Sequence, residues 1–150
     1  MATTDEILAE AHKRALARGL PYAGALLPSE AAQLLQEHPD AILVDVRSRA
    51  EWDFVGRVPG AVEIEWKTYP GMQPNPKFLD ELKGQVPKDA ITMFLCRSGG
   101  RSHETAALAA REGYAAAYNV LEGFEGDRDT DGHRNTTNGW RAADLPWFQG

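Results

Sequence analysis

The stretch Ala90-Ile91-Thr92-Met93-Phe94-Leu95-Cys96-Arg97-Ser98-Gly99-Gly100-Arg101-Ser102 decides the fold and directs the search for a function. Ala90 to Leu95 is strongly apolar, the pattern of a strand covered on both faces in a parallel sheet. Gly100 to Glu112 reads as a helix, and Gly113 closes it. The cysteine therefore falls at the carboxyl end of a buried strand, where open α/β sheets place their ligands. Gly99 and Gly100 let the backbone curl so that successive N–H groups point inward as an anion-binding nest. The helix that follows adds its positive end.

These features converge where a thiolate would sit. An ordinary thiol, with a pKa of roughly 8.5, is only a few per cent thiolate near neutrality. Bringing it to half ionisation at pH 7 takes about 2 kcal/mol, and a well-placed helix terminus contributes up to about 2 kcal/mol, with charge-assisted N–H bonds adding more. The loop can thus supply a nucleophile without a histidine base, and His103 is not required for it. The competing reading, a small buried core cysteine, is poor chemistry here because Arg97 and Arg101 lie close to the thiol in sequence. Cys96 is the only cysteine, so an internal disulfide or a multi-cysteine metal site is excluded.

Outward from this loop, helices and strands alternate. Thr4 to Arg18 reads as an amphipathic helix with Ile7, Leu8, Ala11, Ala15 and Leu16 as its apolar stripe, capped by Thr3 or Thr4 and followed by Gly19. Ser29 starts a second helix that runs to about His38 and ends at Pro39-Asp40. Ala41 to Val44 is a buried strand, and Ser48-Arg49-Ala50-Glu51 fits a capping box opening a short helix, with Trp52 and Val55 turned to the core. Val58-Pro59-Gly60 is a turn before a short strand from Ala61 to Ile64. Asn75-Pro76 starts a helix that ends near Gly84, and Ala116 to Val120 is a strand. The alternation predicts an α/β fold with a parallel sheet covered on both faces.

At 150 residues the chain is expected to form one domain spanning 1–150. Hydrophobic and charged contents of 43% and 25% are ordinary for a soluble globular protein. A net charge of −6 argues against nucleic acid or an anionic membrane surface as partner. No segment reaches the roughly 18–20 apolar residues of a membrane span, and Met1 to Glu6 lacks the features of a secretory signal, so a cytoplasmic location is expected.

Three motifs together resemble the rhodanese family. Leu43-Val44-Asp45-Val46-Arg47, followed by Glu51, resembles its strand-end aspartate, arginine and helical glutamate. Gly56-Arg57-Val58-Pro59-Gly60-Ala61 looks like its G-H-I-P-G-A turn, and Cys96 to Ser102 is similar to its cysteine loop. Gly113-Tyr114 and Leu121-Glu122-Gly123-Phe124 resemble its closing strand and glycine turn. The resemblance covers a core from about residue 25 to 124, leaving an N-terminal helix (4–18) and a C-terminal extension (125–150) outside it. It implies a five-stranded, mostly parallel sheet with helices on both faces. It also implies a two-step sulfurtransferase reaction in which Cys96 takes a sulfane sulfur from a donor such as thiosulfate and passes it from a persulfide to a thiol or cyanide, with no cofactor and no metal. Arg97, Ser98, Gly99, Gly100, Arg101 and Ser102 would hold the persulfide, while Asp45, Arg47, Glu51 and Arg57 would brace the scaffold. Arg57 replaces the family's histidine, so that histidine's role does not carry over. Arg97 after the cysteine resembles loops of the thiosulfate class rather than those of mercaptopyruvate enzymes.

Two rivals stay in view. A cysteine phosphatase of related fold resembles a C-x5-R loop, whereas only four residues separate Cys96 from Arg101. A persulfide carrier or regulatory binding module would act with protein partners, including a protein acceptor. In the extension, Asp127-Arg128-Asp129-Thr130-Asp131-Gly132 matches the first half of a calcium loop, but Asn138 stands where a glutamate is wanted, so a solvated acidic loop is the better reading. His133 and Arg134 are candidates to line the mouth of the site. Trp140 and Trp147 are expected to anchor the tail, and His12 and His38 to lie at the surface.

Overall fold

The computed structural model describes residues 2–149, so the ends of the expected domain, Met1 and Gly150, lie outside the described residues. The chain runs α1 (Thr4–Arg18), β1 (Gly24–Leu26), α2 (Pro28–Glu37), β2 (Ala41–Asp45), α3 (Arg49–Phe54), β3 (Val62–Glu63), β4 (Lys67–Thr68), β5 (Gln73–Pro74), α4 (Phe78–Gln85), β6 (Ile91–Leu95), α5 (Gly100–Arg111) and β7 (Ala117–Val120). Five strands form one sheet in the order β1-β7-β6-β2-β3, and every neighbouring pair in it is parallel. This is the α/β architecture expected from the alternation, with parallel pairing throughout rather than for the most part.

The sheet is buried on both faces, and β6 shows how its sequence serves each. Met93 and Leu95 join Ile7, Ala11, Leu34 and Trp140 in one core, on the side of α1 and α2. Phe94 and Cys96 join Phe78, Leu82, Ala106 and Ala109 in the other, on the side of α4 and α5. The nucleophile candidate thus continues the alternation of a core strand.

Local chemistry sets the helix starts. Thr3 Oγ1 accepts from Glu6 N–H at 3.2 Å while Thr3 N–H donates to the Glu6 carboxylate at 3.0 Å, a reciprocal cap for α1. Its buried row is Ile7, Ala11 and Ala15; Leu16, expected in the stripe, is 70% exposed because it lies beyond that i, i+4 row. The second helix begins at Pro28 rather than at Ser29. Glu30 takes the Leu27 N–H at 2.8 Å, and Pro28 presets the first helical φ. The fourth helix starts at Phe78, after the expected Asn75-Pro76: Asn75 Oδ1 accepts from Lys77 N–H at 3.0 Å and closes a separate turn first. Strands β1, β4 and β5 have no counterpart in the sequence reading; β4 and β5 pair antiparallel as a small hairpin around Tyr69 to Met72. Among the described residues no helix is long and apolar enough to cross a membrane.

Candidate active site

Cys96 follows β6 directly and is 1% exposed. Gly99 has φ +108°, a conformation open to glycine at little steric cost, and this turn aims its N–H at Cys96 Sγ over 3.1 Å. Gly100 then opens α5, so the sulfur lies at the amino-terminal, positive end of a helix of 12 residues. Ser102 Oγ lies 3.3 Å from the sulfur, inside the core. Of the loop residues expected at the sulfur, Gly99 and Ser102 are the two hydrogen-bonded to it.

The two arginines of the loop have different positions. Arg101 is engaged by Glu51 of α3 through two bonds, Nη1 to Oε1 at 2.7 Å and Nη2 to Oε2 at 2.9 Å. Burial alone would raise the Glu51 carboxyl, but Arg101 and the Ser48 N–H and hydroxyl outweigh it and hold it near 2, below its ordinary 4.5. Arg101 therefore fastens helix to helix, and its charge is largely neutralised. Arg97 is exposed and takes part in none of the ion pairs found among the described residues. Arg97 is the available cation of the loop.

Of the other residues assigned to the scaffold, each is held by an ion pair of its own. Asp45 and Arg47 are fully buried and paired, with Nη2 to Oδ2 at 2.7 Å, and Arg47 also donates to Gly56 O at 2.7 Å. Its guanidinium lies 4.2 Å from the centre of the Phe124 ring. Arg57 pairs with Asp53 at 2.7 Å and Glu63 at 3.2 Å, while its backbone exchanges hydrogen bonds with Phe148 at 2.8 and 2.9 Å. Together with Glu51, these residues tie β2, α3, the glycine turn and the tail into one frame.

A cavity of about 660 Å3 opens beside the loop, lined by Ser48, Glu51, Phe54, Tyr69, Met72, Arg97, Arg101 and Glu125 among others. Phe54 and Tyr69 are 78% and 67% exposed, so the rim is apolar on one side, while the other carries Arg97 and Glu125 beside the Arg101–Glu51 pair. His133 and Arg134, expected at this mouth, do not line it. Asp129 accepts from the backbone N–H of Asp131 and of His133, both at 2.9 Å, and from Thr136 Oγ1 at 2.7 Å, which curls the loop onto itself. Arg134 is turned to Gly126 O at 2.6 Å. The mouth is instead bordered by Tyr69, Gly71 and Met72 of the β4–β5 hairpin, whose one sequence signal was the Pro70-Gly71 turn dipeptide.

Comparison with known proteins agrees with this geometry. The profile of the Rhodanese-like domain matches residues 27–129. The chain belongs to the rhodanese family. Among solved structures, that of Rv0390 from M. tuberculosis superposes with a TM-score of 0.79 at 46% identity, covering 86% of this chain and 99% of that one. The uncharacterized protein RC0915 of Rickettsia conorii is 36% identical over 125 residues, 79% of this chain and 92% of that protein. A sulfurtransferase of Allochromatium vinosum is 29% identical over 93 residues, 62% of this chain and 77% of the relative. Within the rhodanese frame, two residues meet the loop only through the fold. Asn119 of β7 contacts both Ser102 and Gly99. Gly123 packs so closely under the loop that a Cβ would come within 2.5 Å of Arg97 backbone atoms.

Proposed function

We propose that the protein is a thiosulfate-type sulfurtransferase that carries sulfur as a Cys96 persulfide. The observation that carries this reading is the Gly99 N–H donated to Cys96 Sγ at the positive end of α5, an arrangement that stabilises negative charge on sulfur. The Cys96 thiolate attacks the outer, sulfane sulfur of thiosulfate. The new S–S bond forms as the old one breaks, and sulfite leaves with the bonding pair. An acceptor thiolate or cyanide then attacks the terminal sulfur of the persulfide, and Cys96 leaves as thiolate. Both half-reactions move charge between sulfur atoms and call for no metal or cofactor.

The free charge of Arg97 beside the cavity suits an anionic donor on a protein of net charge −6. The phosphatase alternative is weaker because Arg101, the arginine such chemistry would direct at phosphate, is engaged by Glu51. Mass spectrometry after exposure to thiosulfate tests the reading. A gain of one sulfur in the wild type and none in Cys96→Ser supports it; persulfide-independent turnover in Cys96→Ser ends it.

A further inference from the structure

The hydrogen bonds around Ser102 have directions that can be read one by one. Gly99 O can only accept, so the Asn119 atom 3.3 Å from it is the Nδ2 donor. That orientation places Asn119 Oδ1 2.5 Å from Ser102 Oγ. An amide oxygen can only accept, so the single hydroxyl proton of Ser102 is directed to Asn119. The Ser102 oxygen can then only accept from the thiol of Cys96, at 3.3 Å. The far end of the amide is held as well: Nδ2 also reaches Tyr22 Oη at 3.4 Å, and Tyr22 in turn lies 2.8 Å from His103 Nδ1. Asn119 is 4% exposed and Ser102 fully buried, so no solvent competes at the contact between them, while His103 at the outer end of the network is exposed.

The consequence concerns the protonation state that the sulfur prefers. An anionic sulfur needs donors, and Ser102 becomes one only by turning its proton away from Asn119. The amide thereby favours the thiol over the thiolate. We propose that Asn119 is a positioning residue that restrains the reactivity of Cys96 by holding the Ser102 hydroxyl proton. The inference deepens the sulfurtransferase reading and rests on Cys96 as the reacting atom. On ionisation the thiol proton passes to solvent water, the Ser102 O–H turns to the sulfur, and Asn119 Oδ1 loses its donor. The charged and titratable groups around the thiol are Arg97 and Arg101 of its own loop and helix, Glu51 of α3 paired with Arg101, the Asp45–Arg47 pair at the end of β2, Glu122 and Glu125 of the segment packed under the loop, and Tyr22 and His103 at the end of the network.

Alkylation by iodoacetamide, in which the Cys96 thiolate displaces iodide, reads the thiolate directly and does not depend on sulfur transfer. Asn119→Ala, and Asn119→Leu of similar volume, free the Ser102 proton. Each is expected to raise the alkylation rate at pH 7 about fivefold, the worth of one hydrogen bond, and to move the pH profile of the reaction to lower pH. In a Ser102→Ala background the same substitutions are expected to change nothing, whereas simple loosening of the core would speed alkylation in both backgrounds. In the wild type, the Asn119 side-chain amide resonances are expected to move in step with thiolate absorbance through a pH titration. Unchanged or slower alkylation, equal acceleration in the Ser102→Ala background, or amide resonances indifferent to the thiolate would each overturn the inference. Failure of the wild type to gain sulfur from thiosulfate would instead sink the sulfurtransferase reading and leave the alkylation result standing.

Discussion

Glu51 and Arg101 stand fifty positions apart in the sequence and meet in a two-bond ion pair that fastens the helix after the cysteine loop to the helix after β2. The pair predicts an acid-sensitive component of stability. The Glu51 carboxyl is held at about 2 against an ordinary 4.5. A carboxyl depressed on folding stabilises the native state above its ordinary value, and that contribution is lost as pH falls from about 4.5 towards about 2. The shift corresponds to about 3 kcal/mol at neutral pH. Glu51→Gln should therefore lower stability by about 2–3 kcal/mol at pH 7, and the gap to the wild type should close on acidification. Denaturant titrations at pH 7, 4 and 2.5 check this, and a gap independent of pH would assign the loss to shape alone.

Arg97 offers the unpaired charge that Arg101, engaged by Glu51, does not. Arg97→Ala should reduce the second-order rate with thiosulfate about tenfold and leave an uncharged persulfide donor nearly unaffected, since the lost interaction is with the donor's charge. Because such steering is screened over a Debye length of about 10 Å at 0.1 M salt, the wild-type rate should fall with ionic strength and that of the variant should not. Equal losses on both donors would make Arg97 a structural residue of the loop.

Gly123 supports the cysteine loop from beneath. Its φ is +69°, and a Cβ there would meet Arg97 C and O at 2.5 Å and Cys96 O at 2.6 Å. The neighbouring Phe124 N–H donates to Cys96 O at 2.8 Å, so the backbone cannot withdraw without losing that bond. Gly123→Ala should cost about 2–3 kcal/mol from left-handed strain and overpacking and lower the melting temperature by about 5–10 °C. Sulfur transfer at a temperature where the variant is folded should also fall, because the displaced atoms carry Cys96. A variant with wild-type melting and kinetics would show that the loop has slack absent from this packing.

How much of this was legible depends on whether the signal was local. β2 and β6 announce themselves as apolar runs, and α3 by a capping box that the structure forms with Ser48 and Glu51. The cysteine loop was legible because glycine, cysteine and helix start are consecutive. β1 was not, since Gly24 to Leu26 is too short to show a period and becomes a strand by pairing with β7. The partner of Arg101 was equally hidden: Glu51 reads as a capping residue, and it is one, while its second role exists only after the helices meet. Asn119 gave a faint signal as a polar residue within an apolar strand, but its contact with Ser102 crosses from β7 to α5.

The phosphatase alternative makes a plain prediction. With Arg101 engaged by Glu51 and one residue fewer in the loop than a C-x5-R cradle, hydrolysis of aryl phosphates should stay at background. Glu51→Gln, which frees Arg101, provides the more demanding assay. Turnover of an aryl phosphate by the unmodified protein would reverse the ranking of the two chemistries.

His133 and Arg134 occupy a sequence position that suggested a place at the mouth of the site. The structure turns Arg134 to Gly126 O and ties the His133 backbone to Asp129, and neither residue lines the cavity beside Arg97 and Arg101. His133→Ala should leave both melting and sulfur transfer unchanged. Arg134→Ala should lower stability by about 1 kcal/mol, the worth of one hydrogen bond from a charged donor to a half-buried carbonyl, with donor preference unaltered. The carboxylate of Asp129 is the hub of this loop: hydrogen bonds from the His133 backbone N–H, Thr136 and the Asp131 N–H hold its carboxyl below the ordinary range. Since these internal donors occupy the oxygens a calcium ion would use, melting curves with calcium and with a chelator should coincide. A change in donor preference in either variant would return these residues to the mouth of the site, and a calcium-dependent melting shift would show that the ion can displace the loop's own donors.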